Sequence, residues 1–132
     1  MIKQVIVIRK DLKMRKGKMI AQGAHASMKV ILDEMNQTHN YADFKELTIE
    51  MTIGGALDKW LLGTFTKIVV GCNSEEELLA LQRKAAEECL RNALIQDIGK
   101  TEFHGQPTYT ALAIGPEESS VIDSITGHLK LL

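Results

Sequence analysis

The chain has 132 residues, of which 45% are hydrophobic, 25% charged and only 5% aromatic, and its formal net charge is −1. This length and composition predict one ordinary folded domain over residues 1–132, and they exclude a disordered or fibrous chain. No stretch approaches the roughly 18 consecutive apolar residues of a membrane span, and Arg9 and Lys10 follow the apolar N-terminus too soon for a secretory signal. We therefore expect a cytoplasmic protein that binds no membrane.

The cysteines and histidines give no sign of a metal site. Cys72 and Cys89 have no partner motif, so we expect free, partly buried thiols in a reducing compartment. His39, His104 and His128 have no ligand spacing with each other or with the cysteines. The sequence therefore predicts neither a metal nor a cofactor.

Basic residues are concentrated near the N-terminus. Residues 3 to 18 carry a net charge of +6, with Asp11 as their lone acid, so the remainder of the chain sums to −7. Clustered Lys and Arg provide the contacts that a polyanion needs, although a solvated basic loop is the ordinary alternative. The candidate contacts are Arg9, Lys10, Lys13, Arg15 and Lys16.

The first predicted elements are a strand and a long helix. Residues 3 to 9 contain the apolar, β-branched run from Val5 to Ile8 without helical period, which predicts a buried strand. Apolar residues then recur at three- and four-residue steps from Gly17 to about Met35, which predicts a helix with one buried face. That face would comprise Ala21, Ala24, Met28, Ile31 and Met35, beside a polar stripe of Lys18, Gln22, His25 and Lys29.

A second strand and helix follow further along the chain. Residues 67 to 72 predict the strand, and Ser74 with Glu77 forms a capping box that predicts a helix N-terminus. The inner face of this helix would consist of Leu78, Leu81, Ala85 and Cys89.

The last part of the chain predicts two more strands and a final helix. One strand covers residues 93 to 97 and ends on Asp97, and the other covers residues 108 to 114. Gly115 and Pro116 are expected to stop that strand and begin a helix that has proline and two acids in its first turn. Gly127 is expected to end that helix.

Strands that alternate with helices predict an α/β layer structure with a largely parallel sheet. In such sheets chemistry collects at the carboxyl ends of the strands. The basic cluster follows the first strand, while Asp97 and Thr101 flank a glycine turn after the third, so their side chains are candidates for one cleft.

Several motifs together resemble the second type of peptidyl-tRNA hydrolase, the archaeal and eukaryotic kind. Their order and spacing make the combination specific, and the resemblance covers roughly residues 2 to 35 and 57 to 132. The motifs are Gly17-Lys18-x-x-Ala21-Gln22-x-x-His25-Ala26, Asp97-x-Gly99-x-Thr101, Ala113-Ile114-Gly115-Pro116 and the closing segment from Thr126 to Leu132.

The resemblance implies a three-layer α/β/α fold around a four-stranded mixed sheet, often as a homodimer. It also implies hydrolysis of the ester that joins a peptide to tRNA, so peptidyl-tRNA would be the partner and the basic cluster its binding surface. Lys18, Asp97 and Thr101 match the positions of the proposed catalytic group. Gln22 and His25 would support Lys18.

Two features depart from the family pattern. Lys100, Glu102 and residues 104–108 differ around the threonine motif, and Glu102 adds a negative charge beside the expected site. An insertion covers about residues 36–55, in which Tyr41 to Glu50 predicts a helical piece before a Gly54-Gly55 break. This insertion is expected to lengthen the first crossover or to form a lid.

Ester hydrolysis needs a positioned water, a group to take its proton, and a cation or donors for the developing oxyanion. Asp97 would orient or activate the water, Lys18 would face the oxyanion or a tRNA phosphate, and Thr101 would hold the water or Asp97. A covalent threonine intermediate lacks an adjacent base. Asp97 as a turn cap and His25 as a structural histidine are the simpler alternatives.

Two other functions compete with hydrolysis. The altered residues 100–108 and the insertion are compatible with a binding module for tRNA or protein that kept the fold but lost chemistry. A nucleotide-binding domain is disfavoured because the chain contains neither a G-x-G-x-x-G motif nor a P-loop.

Overall fold

The computed structural model describes residues 1–99 and 102–132. The chain forms six strands and four helices within these ranges, with one π-helical turn, Trp60–Thr64, directly after α2. In chain order the elements are β1 (Ile2–Arg9), α1 (Lys16–Glu34), β2 (Met35–Asn40), β3 (Lys45–Ile49), α2 (Ala56–Lys59), β4 (Lys67–Cys72), α3 (Glu75–Glu87), β5 (Asn92–Asp97), β6 (Thr108–Glu118) and α4 (Ser119–Thr126).

Four strands form the main sheet, in the order β4-β1-β6-β5. β1 pairs with β4 in parallel, whereas β6 is antiparallel to both β1 and β5. β1, β4 and β5 therefore run in one direction and β6 alone runs in the other, which confirms the mixed α/β sheet. As a result, the carboxyl ends of β1 and β5 lie at the same edge of the sheet as the start of β6. Only the β1–β4 pairing is parallel, so the sheet is less parallel than predicted, because β6 is inserted between β1 and β5.

Helices cover both faces of the sheet, which gives the three layers. On one face Val5, Val7 and Leu112 pack with residues of α3 and α4. On the other face Ile6 and Ile8 pack against α1. No helix in the described ranges is long and apolar enough to cross a bilayer.

The buried face of α1 differs from the prediction. Ala21, Ala24 and Met28 are exposed, and the residues that pack inward are Gln22, Gly23, Ala26, Val30 and Ile31. Compared with the prediction, the helix is rotated about its axis. The sheet beneath it has the small residues Ala111 and Ala113, and it also provides polar partners for Lys18 and Gln22. The predicted polar stripe is therefore partly a packing face.

The predicted helix from Tyr41 to Glu50 is wrong, because β2 and β3 form an antiparallel hairpin there. The backbone N–H of Tyr41 donates to the carbonyl oxygen of Phe44 at 2.7 Å, and the two rings stack with centroids 4.2 Å apart. This local pairing stabilises a turn where a helix was expected. The hairpin begins at the C-terminus of α1, about 24 Å along the helix from Lys18, so we do not propose it as a lid.

The capping box of α3 is confirmed, and one residue of its predicted inner face is corrected. The backbone N–H of Glu77 donates to Ser74 Oγ at 3.1 Å, and Glu77 in turn accepts from the backbone N–H of Asn73 at 2.9 Å. Leu78, Leu81 and Ala85 are buried as expected. Cys89 lies beyond the helix with φ +56° and is exposed, whereas Cys72 is buried.

The last helix begins later than predicted. Gly115 and Pro116 do not end β6, which continues to Glu118 because Glu117 and Glu118 still pair with Lys3 and Ile2 of β1. The helix then starts at Ser119 and runs to Thr126.

Candidate active site

An ion pair between Lys18 and Asp97 lies at the carboxyl edge of the sheet. Lys18 is in the first turn of α1 and Asp97 is the last residue of β5. Lys18 Nζ donates to Asp97 Oδ1 at 2.8 Å, and the two side chains are only 14% and 13% exposed. Because the sheet aligns the ends of β1 and β5, residues 79 positions apart meet directly.

Two further donors point at the Asp97 carboxylate. The backbone N–H of Gly99 donates to Oδ2 at 2.9 Å, and Gln22 Nε2 lies 3.5 Å from Oδ1. The hydrogen bond from Lys18 lowers the pKa of Asp97 below its ordinary value, against the opposing effect of burial, and the Gly99 N–H lowers it further. Asp97 is therefore ionised at neutral pH.

Glycine is required at position 99 of the turn that follows Asp97. Gly99 has φ +87°, and a Cβ built on it would lie 2.5 Å from the carbonyl oxygen of Gln106. Its own carbonyl oxygen accepts from the N–H of Gly105 at 2.8 Å, so the turn is closed from both sides. This close packing fixes the N–H that faces Asp97.

We expect Gly99→Ala to lower the free energy of unfolding by more than about 2 kcal/mol, because it adds a backbone clash to the cost of a left-handed alanine. Gly105→Ala is the matched control, since Gly105 has φ +77° but nothing within 4 Å of its Cβ position. The control is expected to lose only about 1 kcal/mol. Urea denaturation of both variants measures the difference, and equal losses would contradict the packing of this turn.

The structure adds two residues to the site that the sequence did not single out. Phe103 lies with its ring centroid 5.6 Å from Lys18 Nζ, within the range of a cation–π contact. Thr110 is fully buried and donates a short hydrogen bond to Gln22 Oε1. Neither residue belongs to a recognisable sequence motif. Phe103 lies in the segment before β6 and Thr110 lies near the start of β6, where the backbone is irregular.

Four of the five predicted phosphate contacts, Lys10, Lys13, Arg15 and Lys16, are exposed. Lys10 lies over Gly71 of β4, and Arg15 lies near Glu102. Arg9 lies apart, being only 8% exposed. Its guanidinium donates to both carboxylate oxygens of Asp11 and to the carbonyl oxygen of Tyr109 at 2.9 Å. Arg9 therefore links the end of β1 to the start of β6, and we leave it out of the proposed RNA surface.

Glu102, the acidic departure from the family pattern, lies next to this basic surface. Its Oε1 is 3.7 Å from Arg15 Nε. Arg15 is 91% exposed along its side chain, so the pair is screened by solvent and weak. The acid thus offsets part of the positive charge beside the site.

Comparison with known proteins identifies the family. Residues 2–132 match the family described as "Peptidyl-tRNA hydrolase PTH2". The chain belongs to the PTH2 family. It is 44% identical over 131 residues to a peptidyl-tRNA hydrolase of Methanocaldococcus jannaschii, covering 99% of this chain and all of that protein. It is also 42% identical to one of Saccharolobus islandicus and 41% to one of Saccharolobus solfataricus, with complete coverage of all chains.

The remaining residues of the PTH2 motifs lie in different surroundings. Gln22 is buried at the Asp97 carboxylate, whereas His25 is exposed and makes no hydrogen bond within the described ranges. His25 is nevertheless close enough that its charge lowers the pKa of Asp97. Thr101, the third proposed catalytic residue, lies outside the described residues.

A second surface of this PTH2 chain is apolar. A groove of about 650 Å³ lies between α1 and the β4 edge of the sheet, on the flank of α1 opposite Lys18. Its lining includes Ile20, Ala24 and Met28 of α1, with Trp60, Phe65 and Val69 opposite. Lys67 lies over the rings of Trp60 and Phe65, with its Nζ 4.9 Å and 3.0 Å from their centroids.

Proposed function

We propose that this chain hydrolyses the ester between peptide and tRNA in peptidyl-tRNA, in the cytoplasm, and so frees tRNA for reuse. The observation that carries the proposal is the Lys18–Asp97 pair, which is held at the sheet edge beside an exposed basic surface. Membership of the PTH2 family supports the same reaction. Relatives at 41% to 44% identity bear the name peptidyl-tRNA hydrolase.

In this proposal Asp97 orients the attacking water. A carboxylate whose pKa is lowered is a weak base, so Asp97 first orients the water by accepting a hydrogen bond and takes its proton only as the new C–O bond forms. The proton then passes to the ribose oxygen of the tRNA as that oxygen leaves. Oδ2 accepts from Gly99 N–H and has a second lone pair for the water. Thr101 is proposed to hold the same water or Asp97.

Lys18 stabilises the negative charge that develops on the ester carbonyl oxygen. Its ammonium group is fixed by Asp97 and by the nearby ring of Phe103, so it needs little reorganisation when the oxyanion forms. Gln22 is proposed to support the pair from the buried side.

The tRNA backbone is proposed to bind the basic surface formed by Lys10, Lys13, Arg15 and Lys16. All four side chains are exposed and close in sequence to the first turn of α1, which contains no acidic residue and whose N-cap Arg15 makes no side-chain cap. The helix dipole therefore adds to the positive potential. Phosphates bound here would bring the 3′ end of tRNA toward Lys18.

We expect the double variant Lys13→Ala, Arg15→Ala to weaken tRNA binding and to reduce the slope of log K against log salt by about 1 to 2, because up to two phosphate contacts are lost. The control is Lys84→Ala, which removes an exposed lysine from α3 on the opposite face of the sheet. Binding isotherms at several salt concentrations measure both slopes. A slope that falls equally in the control, or in neither variant, would contradict this surface.

We also propose that the chain forms a homodimer through the apolar groove. A two-fold interface needs a face that complements itself, and here the α1 wall of the groove, Ile20, Ala24 and Met28, is both apolar and exposed. The α1 wall of one copy would pack into the groove of the other. Exposed apolar patches of this kind are typical of association surfaces.

The homodimer is tested by sedimentation of the double variant Ile20→Asp, Met28→Asp, which is expected to be monomeric at concentrations where the wild type is dimeric. Ile53→Asp is the matched control, because Ile53 is 96% exposed and does not line the groove. A monomeric wild type, or a control that dissociates equally, would contradict this interface.

A release assay separates hydrolysis from the binding-only alternative. Purified protein is incubated with tRNA that carries an N-blocked, labelled peptide, and free peptide is measured over time at two salt concentrations. We expect catalytic release. Salt-dependent tRNA binding without release would favour a binding module, although the intact Lys18–Asp97 pair argues against that alternative.

A further inference from the structure

Strand β6 contains an irregularity next to the proposed site. Ile95 of β5 is opposite Ala111, but the next residue, Gln96, is opposite Tyr109, so Thr110 has no partner across β5. This is a β-bulge, in which one strand carries an extra residue. Bulges change the direction in which the following and preceding side chains point.

The packing on both faces of the sheet shows the effect of the bulge. Ala111 packs toward α1 and Leu112 toward α3 and α4, as regular alternation requires. Continued alternation would place Tyr109 on the α1 face and Thr110 on the opposite one. Instead Tyr109 packs against the core beneath α3 and α4, and Thr110 bonds to Gln22 of α1. The bulge has therefore turned Thr110 toward the site.

Thr110 has a single polar partner among the described residues. Its Oγ1 donates to Gln22 Oε1, and Gln22 is itself only 2% exposed. A carboxamide has one accepting and one donating end, so an oxygen held by Thr110 leaves the Nε2 end facing Asp97 Oδ1, at 3.5 Å. A rotated amide would direct its oxygen against the carboxylate.

We propose that Thr110 is a positioning residue for the reaction: its hydroxyl fixes the amide of Gln22 so that a donor always faces Asp97. This inference rests on the proposed hydrolysis for its kinetic consequences. The arrangement itself is a property of the folded chain and is testable without substrate. Thr110 touches no reacting atom and acts only through Gln22.

Thr110→Val tests the proposal, because valine keeps the shape of threonine and removes the hydroxyl. We expect kcat to fall by about 10-fold, the effect of losing one oriented hydrogen bond, with KM changed by less than about 2-fold. Thr110→Ser restores the hydroxyl and is expected to keep kcat within about 3-fold of the wild type. If the side chain were purely structural, Thr110→Val would not lower kcat alone, and Thr110→Ser would not restore kcat selectively.

A second readout follows Asp97 directly. In protein labelled with ¹³C at aspartate carboxyls, the pKa of Asp97 is expected to rise in Thr110→Val and to stay unchanged in Thr110→Ser. The rise is expected because a free amide of Gln22 offers its oxygen to the carboxylate part of the time. Gln22→Met provides a second variant that removes the amide while keeping an unbranched side chain.

The outcomes separate this inference from the proposed function. A rise in the pKa of Asp97 in Thr110→Val, together with a double variant that titrates like Gln22→Met alone, supports the relay. An unchanged titration, or kinetic losses that multiply in the double variant, overturns it. Should Thr110→Val fail to fold, Thr110→Ala, which also removes the hydroxyl, replaces it in the same titration. Failure of the wild type to release peptide would refute the proposed hydrolysis while the titration still decides the role of Thr110.

Discussion

Replacing Asp97 with asparagine is expected to lower single-turnover release of peptide by about 10²- to 10⁴-fold, the range for losing a positioned proton acceptor. Asparagine has the same shape but carries no charge, so it neither attracts the water proton nor balances Lys18. Binding of tRNA is expected to be retained, since the exposed basic surface is unchanged. Rapid-quench measurement of release, at protein concentrations above the tRNA dissociation constant, isolates this step.

A second Asp–Lys pair provides the control for Asp97→Asn. Lys3 Nζ donates to Asp123 Oδ1 at 2.7 Å on the opposite side of the sheet, under α4. Asp123→Asn removes a carboxylate from an ion pair of similar length and is expected to leave release within about 2-fold of the wild type. If both variants lost the same amount of release activity, the loss would come from removing a charge anywhere in the protein and not from removing the carboxylate at the proposed site.

Replacing Lys18 with methionine is expected to lower release by about 10²- to 10³-fold, the loss typical of removing one donor to an oxyanion. Methionine keeps much of the length of the side chain and removes the ammonium group. Lys3→Met is the control, because the Lys3 side chain is buried to nearly the same extent, 12% against 14% exposed. The control is expected to retain wild-type release, and a loss confined to Lys3→Met would contradict the assignment of Lys18.

Lys18→Met should also change the pH dependence. Lys18 is the largest cause of the lowered pKa of Asp97, so its removal raises that pKa and moves the acid limb of the rate profile to higher pH. In the wild type the lowered pKa contributes stability above the unfolded pKa of about 3.9, and this stability is lost as pH falls through the folded pKa. Rate profiles above about pH 3 and unfolding profiles down to about pH 1 measure the two effects, and an acid limb that does not move would contradict the pairing.

Elements with strong local signals were predictable from the sequence. The buried strand β1 has an uninterrupted apolar run, and the N-terminus of α3 has a capping box whose two members bond as expected. Where an element differed from the prediction, pairing with a neighbouring strand was the cause. The insertion became a hairpin through pairing between β2 and β3, and β6 passed Pro116 because β1 continued to pair with it.

The candidate site was predictable in part. The resemblance to the family's motifs put Lys18 and Asp97 in one site, and their side chains meet at 2.8 Å. The burial of Gln22 was missed, because helical period assigned Ala21 and Ala24 to the inner face. The role of Thr110 could not be predicted, because a β-bulge turns its side chain toward the site and a bulge leaves no pattern in a single sequence.

The most direct test of the account measures peptide release and tRNA binding in parallel for the wild type, Asp97→Asn and Asp123→Asn. We expect the three proteins to bind tRNA alike, and the wild type and Asp123→Asn to release peptide at similar rates while Asp97→Asn is slower by at least about 10²-fold. Release by Asp97→Asn at the wild-type rate would contradict the claim that the Lys18–Asp97 pair is the reaction centre.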